Sequence, residues 1–234
     1  LIHCWDSSGF YDAPQHNGQA IAQPIAQPVA IKEAGTMKIA LVGSKHFGAE
    51  VLTQLLESQA IQISVVVVAD PEDRLALLAK EKGLSVVVQA SPKAVSGDEI
   101  SSPVDLVVTA YSHALITPEA LAKARLGGIG YHPSLLPRHR GRAAVEWTVK
   151  EGDAIAGGTV YQLNEVWDAG GVVAQDWCFV LPGEDSGSLW RRALSPLGIR
   201  LLVRAVQEIA AKGAVKVTPQ DEAFATKAPA LPKA

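Results

Sequence analysis

The chain has 234 residues, 48% of them hydrophobic and 19% charged, with a formal charge of −3. That is enough apolar material for one substantial core, and the slight negative charge removes any global electrostatic case for nucleic-acid binding. Cys4 and Cys178 show neither a disulfide framework nor metal-ligand spacing; with no apolar run near the ~20 residues that span a bilayer and no signal-peptide core, the expectation is a cytoplasmic protein with no membrane partner.

Residues 1–36 keep neither helical nor strand periodicity and hold the near-repeat Ala22-Gln23-Pro24-Ile25-Ala26-Gln27-Pro28. Met37 is the only methionine and stands directly before an apolar run. The expected organisation is a disordered or tag-like leader over 1–36, a catalytic domain over 37–217 and a loosely attached, extended tail over 218–234.

From Met37 onward apolar runs alternate with helical stretches. Lys38–Val42 reads as a buried strand, Gly43–Gly48 as a turn and Ala49–Ser58 as a helix with Val51, Leu52, Leu55 and Leu56 on one face. Ile61–Ala69 is a β-branched strand, 72–82 a helix closed by Gly83, and Leu84–Gln89 a third strand. Val104–Ala110 is apolar throughout, as a central parallel strand would be. Thr117 caps a helix with Pro118 in its first position that runs to about Arg125, and Gly128–His132 is a short fifth strand. After a loop come a helix over 143–150 and strands over 157–164 and 172–181; the link between the two strands is too short for a crossover, so they pair antiparallel. Ser186 caps a helix over 187–212 bent near Pro196. The fold class expected is α/β, a doubly wound, mostly parallel Rossmann-like sheet with an antiparallel C-terminal strand pair.

Two loops carry the polar chemistry. Tyr131-His132-Pro133-Ser134-Leu135-Leu136-Pro137-Arg138-His139-Arg140-Gly141 follows the fifth strand, and Trp167-Asp168-Ala169-Gly170-Gly171 joins the last two strands. Both fall on one sheet edge, where open α/β proteins bind ligands. A carboxylate beside an imidazole orients it and raises its pKa, which suits proton transfer; against that, Asp-Ala-Gly-Gly is ordinary turn chemistry and the first loop alone reads equally as a basic surface loop. Gly43 to Gly48 followed by Asp70 keeps a dinucleotide reading open, although the Gly-x-Gly-x-x-Gly spacing is missing. Trp147, Trp177 and Trp190 read as core or cleft wall, Trp167 as lining a pocket, and Cys178 as an apolar filler.

His132-Pro133-Ser134-Leu135-Leu136-Pro137, then Arg140-Gly141, then Trp167-Asp168-Ala169-Gly170 resembles the folate-dependent formyltransferase family. The likeness runs from Met37 to about Lys212 and within the family is strongest to the N-terminal hydrolase domain of 10-formyltetrahydrofolate dehydrogenase. The resemblance implies a catalytic pair His132 and Asp168, a pterin wall built from Ala114, Leu115 and Ile116, and Trp167 beside the folate. It implies 10-formyltetrahydrofolate as the formyl donor and no metal. Most transferases of this family carry an asparagine two residues before the histidine, to hold the formyl oxygen; here that position is Gly130. Loss of one such donor costs about 2.7–4 kcal/mol in a transition state. The expectation is therefore transfer to water, giving formate and tetrahydrofolate. The alternatives are transfer to an amine (a glycinamide ribonucleotide, an amino-sugar nucleotide or methionyl-tRNA) and an impaired folate-binding module that asparagine at 130 would restore. Arg138, Arg140 and Arg142 are expected at the acceptor entrance or the folate tail, with at least one of them on a solvated basic face instead. Without the extra domains known in the family, the chain reads as a free-standing catalytic domain.

Overall fold

The computed structural model describes residues 35–232. Of the leader expected over residues 1–36, residues 1–34, Cys4 among them, lie outside the described residues. Among the described residues no helix is long and apolar enough to cross a membrane.

The chain runs β1 (Met37–Gly43), α1 (Lys45–Leu56), β2 (Ile61–Val68), α2 (Arg74–Glu81), β3 (Val86–Val88), β4 (Ala94–Val95), β5 (Leu106–Ala110), β6 (Leu115–Ile116), α3 (Pro118–Leu121) and β7 (Gly128–His132). It continues through α4 (Ala144–Lys150), β8 (Ile155–Gln162), β9 (Val172–Phe179), α5 (Ser186–Leu189) and α6 (Ser195–Lys212). Seven strands form one sheet in the order β3-β2-β1-β5-β7-β8-β9. The first five in that order are parallel, and β8 and β9 add as antiparallel neighbours. The α/β class and the antiparallel C-terminal pair follow the expectation.

Both sheet faces are covered. On one, Ile39, Leu41, Val66, Val108 and Ile129 pack against Val51, Leu52 and Leu55 of α1 and Leu201, Leu202 and Val206 of α6. On the other, Ala40, Val42, Val65 and Val107 meet Val95, Ile100, Ile116 and Ala120. Each buried Val, Leu or Ile contributes roughly 1.5–3 kcal/mol relative to leaving it exposed. Strands buried on both faces carry the near-continuous apolar runs seen in β1, β2 and β5.

The structure departs from the sequence expectation in several places. Helix α1 begins at Lys45, so the expected turn over 43–48 shrinks to Ser44. Gly43 and Gly48 serve close approach instead: a Cβ on Gly43 would collide with the Ala110 carbonyl, and one on Gly48 would sit 3.0 Å from Leu75 Cδ2. Thr117 does cap α3, accepting from the Ala120 N–H, but that helix stops at Leu121. The short parallel pair β4 and β6, two residues each, carries too little pattern to be seen in sequence. Asp185, one residue before Ser186, caps α5 by accepting from Ser188 N–H. Instead of a bend at Pro196 there is a π-helical turn over Trp190–Leu194. Proline has no N–H and its ring crowds the preceding turn; a wider turn just upstream accommodates it. Trp177 is exposed rather than core, because it projects from the edge strand β9.

The tail departs most. It is not loosely attached. Val172 and Thr218 exchange two backbone hydrogen bonds of 2.8 Å. Arg140 N–H donates to Thr226 O (2.9 Å), Ala228 N–H to Arg140 O (2.7 Å), and Trp147 Nε1–H to Pro229 O (2.8 Å). Ala228 is fully buried. Gly141 has φ of 125° and its Cα lies so near the tail that a Cβ would meet Ala228 O at 2.6 Å, so glycine is the residue that fits there.

Candidate active site

The strand order turns back on itself between β1 and β5, and a crevice opens there at the carboxyl ends of the parallel strands. A cavity of about 1170 Å³ occupies it, walled by Phe47 from α1, Tyr111 and His113 beyond β5, His132 at the end of β7, Trp190 and the C-terminal tail.

His132 is the last residue of β7 and only 6% exposed. Its Nε2 lies 2.8 Å from the His139 carbonyl oxygen. A carbonyl only accepts, so Nε2 carries the hydrogen and Nδ1 is left facing Asp168 Oδ1 at 3.5 Å. Asp168 is likewise 6% exposed. Its Oδ2 accepts the Gly141 N–H (2.8 Å) and its Oδ1 the Tyr161 hydroxyl (3.0 Å). The carboxylate is thus oriented by one donor on each oxygen. Burial, and then the neighbouring Asp168 charge, push the Tyr161 phenol well above its ordinary pKa, so it stays a donor.

Local backbone geometry makes this arrangement possible. Asp168 sits at φ 55° and His139 at φ 59°, in the left-handed region that few non-glycine residues adopt. For Asp168 the tail fixes that conformation: Gln220 Nε2–H donates to Asp168 O (2.8 Å) and Gly170 O (2.6 Å). For His139 the anchor is its own ring, with Nε2 2.7 Å from Asp153 Oδ2, and its backbone N–H, which donates to Thr226 Oγ1 at 2.8 Å. Burial raises the Asp153 carboxyl, but the hydrogen bonds from Arg138 and His139 outweigh it and hold its pKa below the usual value.

The structure brings His132, Asp168, Trp167 and Leu115 to one cavity. Trp167 is 51% exposed at its mouth. Ala114 and Ile116 are not in its wall; both are buried in the core between the sheet and α3, because they alternate with Leu115 along the short β6 segment. The three arginines separate. Arg138 is spent on Asp153 and Glu151 at 2.7 and 2.6 Å, and Arg140 on Gln220 and Glu222, both at 2.7 Å. Arg142 borders the cavity and has no ion pair among the described residues. Burial, then the charges of Arg142 and Lys45, push the His113 imidazole below its usual pKa, which marks a positive field on that side of the cavity.

The dinucleotide reading fails on geometry. Asp73 already occupies the N-terminus of α1, accepting the Lys45 N–H at 2.7 Å and 2.9 Å, where a phosphate would have to sit. Asp70 closes a turn by accepting the Glu72 N–H. At Gly130, asparagine does not fit as it stands, since any Cβ there would collide with Thr109 Oγ1.

Sequence reasoning missed Tyr161, His139 and Gln220. Tyr161 sits in an alternating strand where a tyrosine looks like core, and Gln220 in a proline-flanked tail. Removing only the Tyr161 hydroxyl (Tyr161→Phe) is expected to lower kcat about tenfold with little change in KM, because a charge-assisted hydrogen bond of about 1.5–3 kcal/mol is lost. An unchanged kcat would mean Gly141 N–H suffices to orient Asp168.

A two-faced parallel sheet with an antiparallel extension, and an imidazole–carboxylate pair in the crevice of its switch point, define an open α/β protein with a buried polar pair at its sheet edge. The chain belongs to the formyl transferase family, whose model matches residues 37–206. It is 37% identical over 200 residues to mouse mitochondrial 10-formyltetrahydrofolate dehydrogenase, an alignment covering 81% of this chain but 22% of that protein, so it spans about a fifth of the relative's length. It is 33% identical over 216 residues to methionyl-tRNA formyltransferase of Desulfotalea psychrophila, covering 86% of this chain and 65% of the other. Among solved structures it is similar to phosphoribosylglycinamide formyltransferase from Anaplasma phagocytophilum, with a TM-score of 0.67 and 26% identity over 81% of this chain and 98% of that one.

Proposed function

We propose that the protein transfers the formyl group of 10-formyltetrahydrofolate to water, releasing formate and tetrahydrofolate, with His132 and Asp168 as its catalytic pair. The observation that carries this reading is the fixed His132–Asp168 pair in the wall of a folate-sized cavity, in a chain whose relatives include 10-formyltetrahydrofolate dehydrogenase. Gly130 tips the choice of acceptor toward water, because β7 carries glycine where an asparagine two residues before His132 would add a side-chain donor of its own.

In this reading water attacks the formyl carbon and its proton passes to Asp168. In its imidazolium form, the His132 ring keeps Nε2–H on the His139 carbonyl and donates from Nδ1 to the formyl oxygen. As the tetrahedral intermediate collapses, the C–N bond breaks and the folate nitrogen takes the proton held by Asp168. Trp167 and Leu115 hold the pterin. No step calls for a metal.

A second reading is supported by Arg142 and the positive field around His113: transfer to a phosphate-bearing amine. Isotope-labelled formyl donor decides between them. Label in free formate, lost in His132→Ala, is the expected result; label in an added glycinamide ribonucleotide, amino-sugar nucleotide or methionyl-tRNA favours the second. No release to any acceptor ends the formyl-transfer reading.

A further inference from the structure

The formyl oxygen needs a second donor besides His132, and β7 has none to give. Two strands flank β7. At the level of Gly130 they present Thr109 from β5 and Tyr161 from β8, both register partners of Gly130 and both in the cavity wall. The Tyr161 hydroxyl is committed to Asp168 and that of Thr159, further along β8, to the Ser134 carbonyl. The Thr109 hydroxyl donates to no group among the described residues. It is also displaced toward β7, filling the volume where a Gly130 side chain would begin.

We propose that the Thr109 hydroxyl donates a hydrogen bond to the oxygen of the transferred formyl group, supplying from β5 the donor that Gly130 leaves out of β7. The proposal rests on the formyl-transfer reading. Its geometry is that of the sheet. Gly130 and His132 point to the same face and are separated by roughly 6.6 Å along the strand. Thr109 stands beside Gly130, so its hydroxyl and the His132 ring share one face of the sheet and the wall of one cavity. Held there, a preorganised hydroxyl stabilises negative charge as it develops on oxygen and costs no reorganisation during the reaction. It follows that Thr109 and Gly130 work as a pair. A side chain on one requires a small residue at the other.

The test is the kinetics of 10-formyltetrahydrofolate turnover by the full chain carrying Thr109→Val, which keeps the shape and removes the hydroxyl. The expected result is a 10- to 100-fold fall in kcat with KM within about twofold, set against the ~100-fold and larger losses that follow removal of an oxyanion donor. Thr109→Ser should retain most of the activity. Gly130→Asn alone should be inactive, and adding Thr109→Gly to it should recover activity at least tenfold over the single variant. Thr109→Val with an unchanged kcat, or with a loss confined to KM, overturns the proposal while leaving formyl transfer standing. A wild-type chain with no turnover of the formyl donor overturns both. If Thr109→Val folds poorly, failure of Thr109→Ser to keep activity, with the melting temperature of the wild type, is equally decisive against it.

Discussion

Asp168→Asn lowers kcat for formyl release by about 10²–10⁴-fold, the range for losing a positioned general base, while the melting temperature stays near that of the wild type. Asparagine keeps the size and one of the two oxygens. Gly141 N–H and the Tyr161 hydroxyl each need an acceptor, at 2.8 and 3.0 Å in the native site. The Gly141 amide cannot turn, so it keeps the remaining oxygen. The hydroxyl can rotate and accept from the new NH2 group. The site therefore survives in outline but has lost the atom that takes a proton from water and faces His132 Nδ1. Steady-state kinetics with thermal denaturation of the same preparation reads both halves. A variant with wild-type kcat would remove Asp168 from the chemistry and leave it as a turn residue, the bland reading of Asp-Ala-Gly-Gly. A variant that is inactive because it unfolds would instead make it a structural linchpin.

That bland reading shows where sequence legibility ends. The parallel core was legible because strands covered on both faces must be apolar throughout, as Val65–Val68 and Leu106–Val108 are. His132 was legible because a strand ends at it and a loop dense in prolines and charge begins. The α1 boundary was not, because Gly43 and Gly48 look like turn residues until the Ala110 carbonyl is seen against them. Nor were the roles of the arginines. Arg138 and Arg140 differ from Arg142 only in which acids the fold places opposite them: Asp153 and Glu151 for one, Glu222 for the other. Such pairings span up to 82 residues of chain and leave no periodic trace. The same holds for the His139 carbonyl, which fixes the His132 tautomer through a backbone atom that no side-chain identity announces.

Gln220→Ala tests the least legible element, the tail. The Gln220 amide joins three things: its NH2 group donates to the carbonyls of Asp168 and Gly170, and its oxygen accepts from Nε and Nη2 of Arg140. Arg140 directly precedes Gly141, whose N–H holds the Asp168 carboxylate. One side chain therefore clamps both segments whose separation sets the carboxylate's position. Alanine leaves two part-buried carbonyls and one face of a guanidinium without partners, at a cost of about 1–3 kcal/mol. For a domain of this size, at about 2–4 °C per kcal/mol, that is a fall in melting temperature of roughly 2–12 °C. We expect kcat to fall with it, by about tenfold or more, as the left-handed turn at Asp168 loosens. Gln220→Glu separates the two effects. A carboxylate still accepts from Arg140 but sets negative charge against both carbonyls, so it should keep much of the tail's attachment and lose the hold on Asp168. If Gln220→Ala lowers stability but leaves kcat intact, the tail is a brace for the domain rather than part of the site. If Gln220→Glu matches the wild type in kcat, the two carbonyl contacts contribute nothing to catalysis and the Asp168 turn is held by Gly141 and Tyr161 alone.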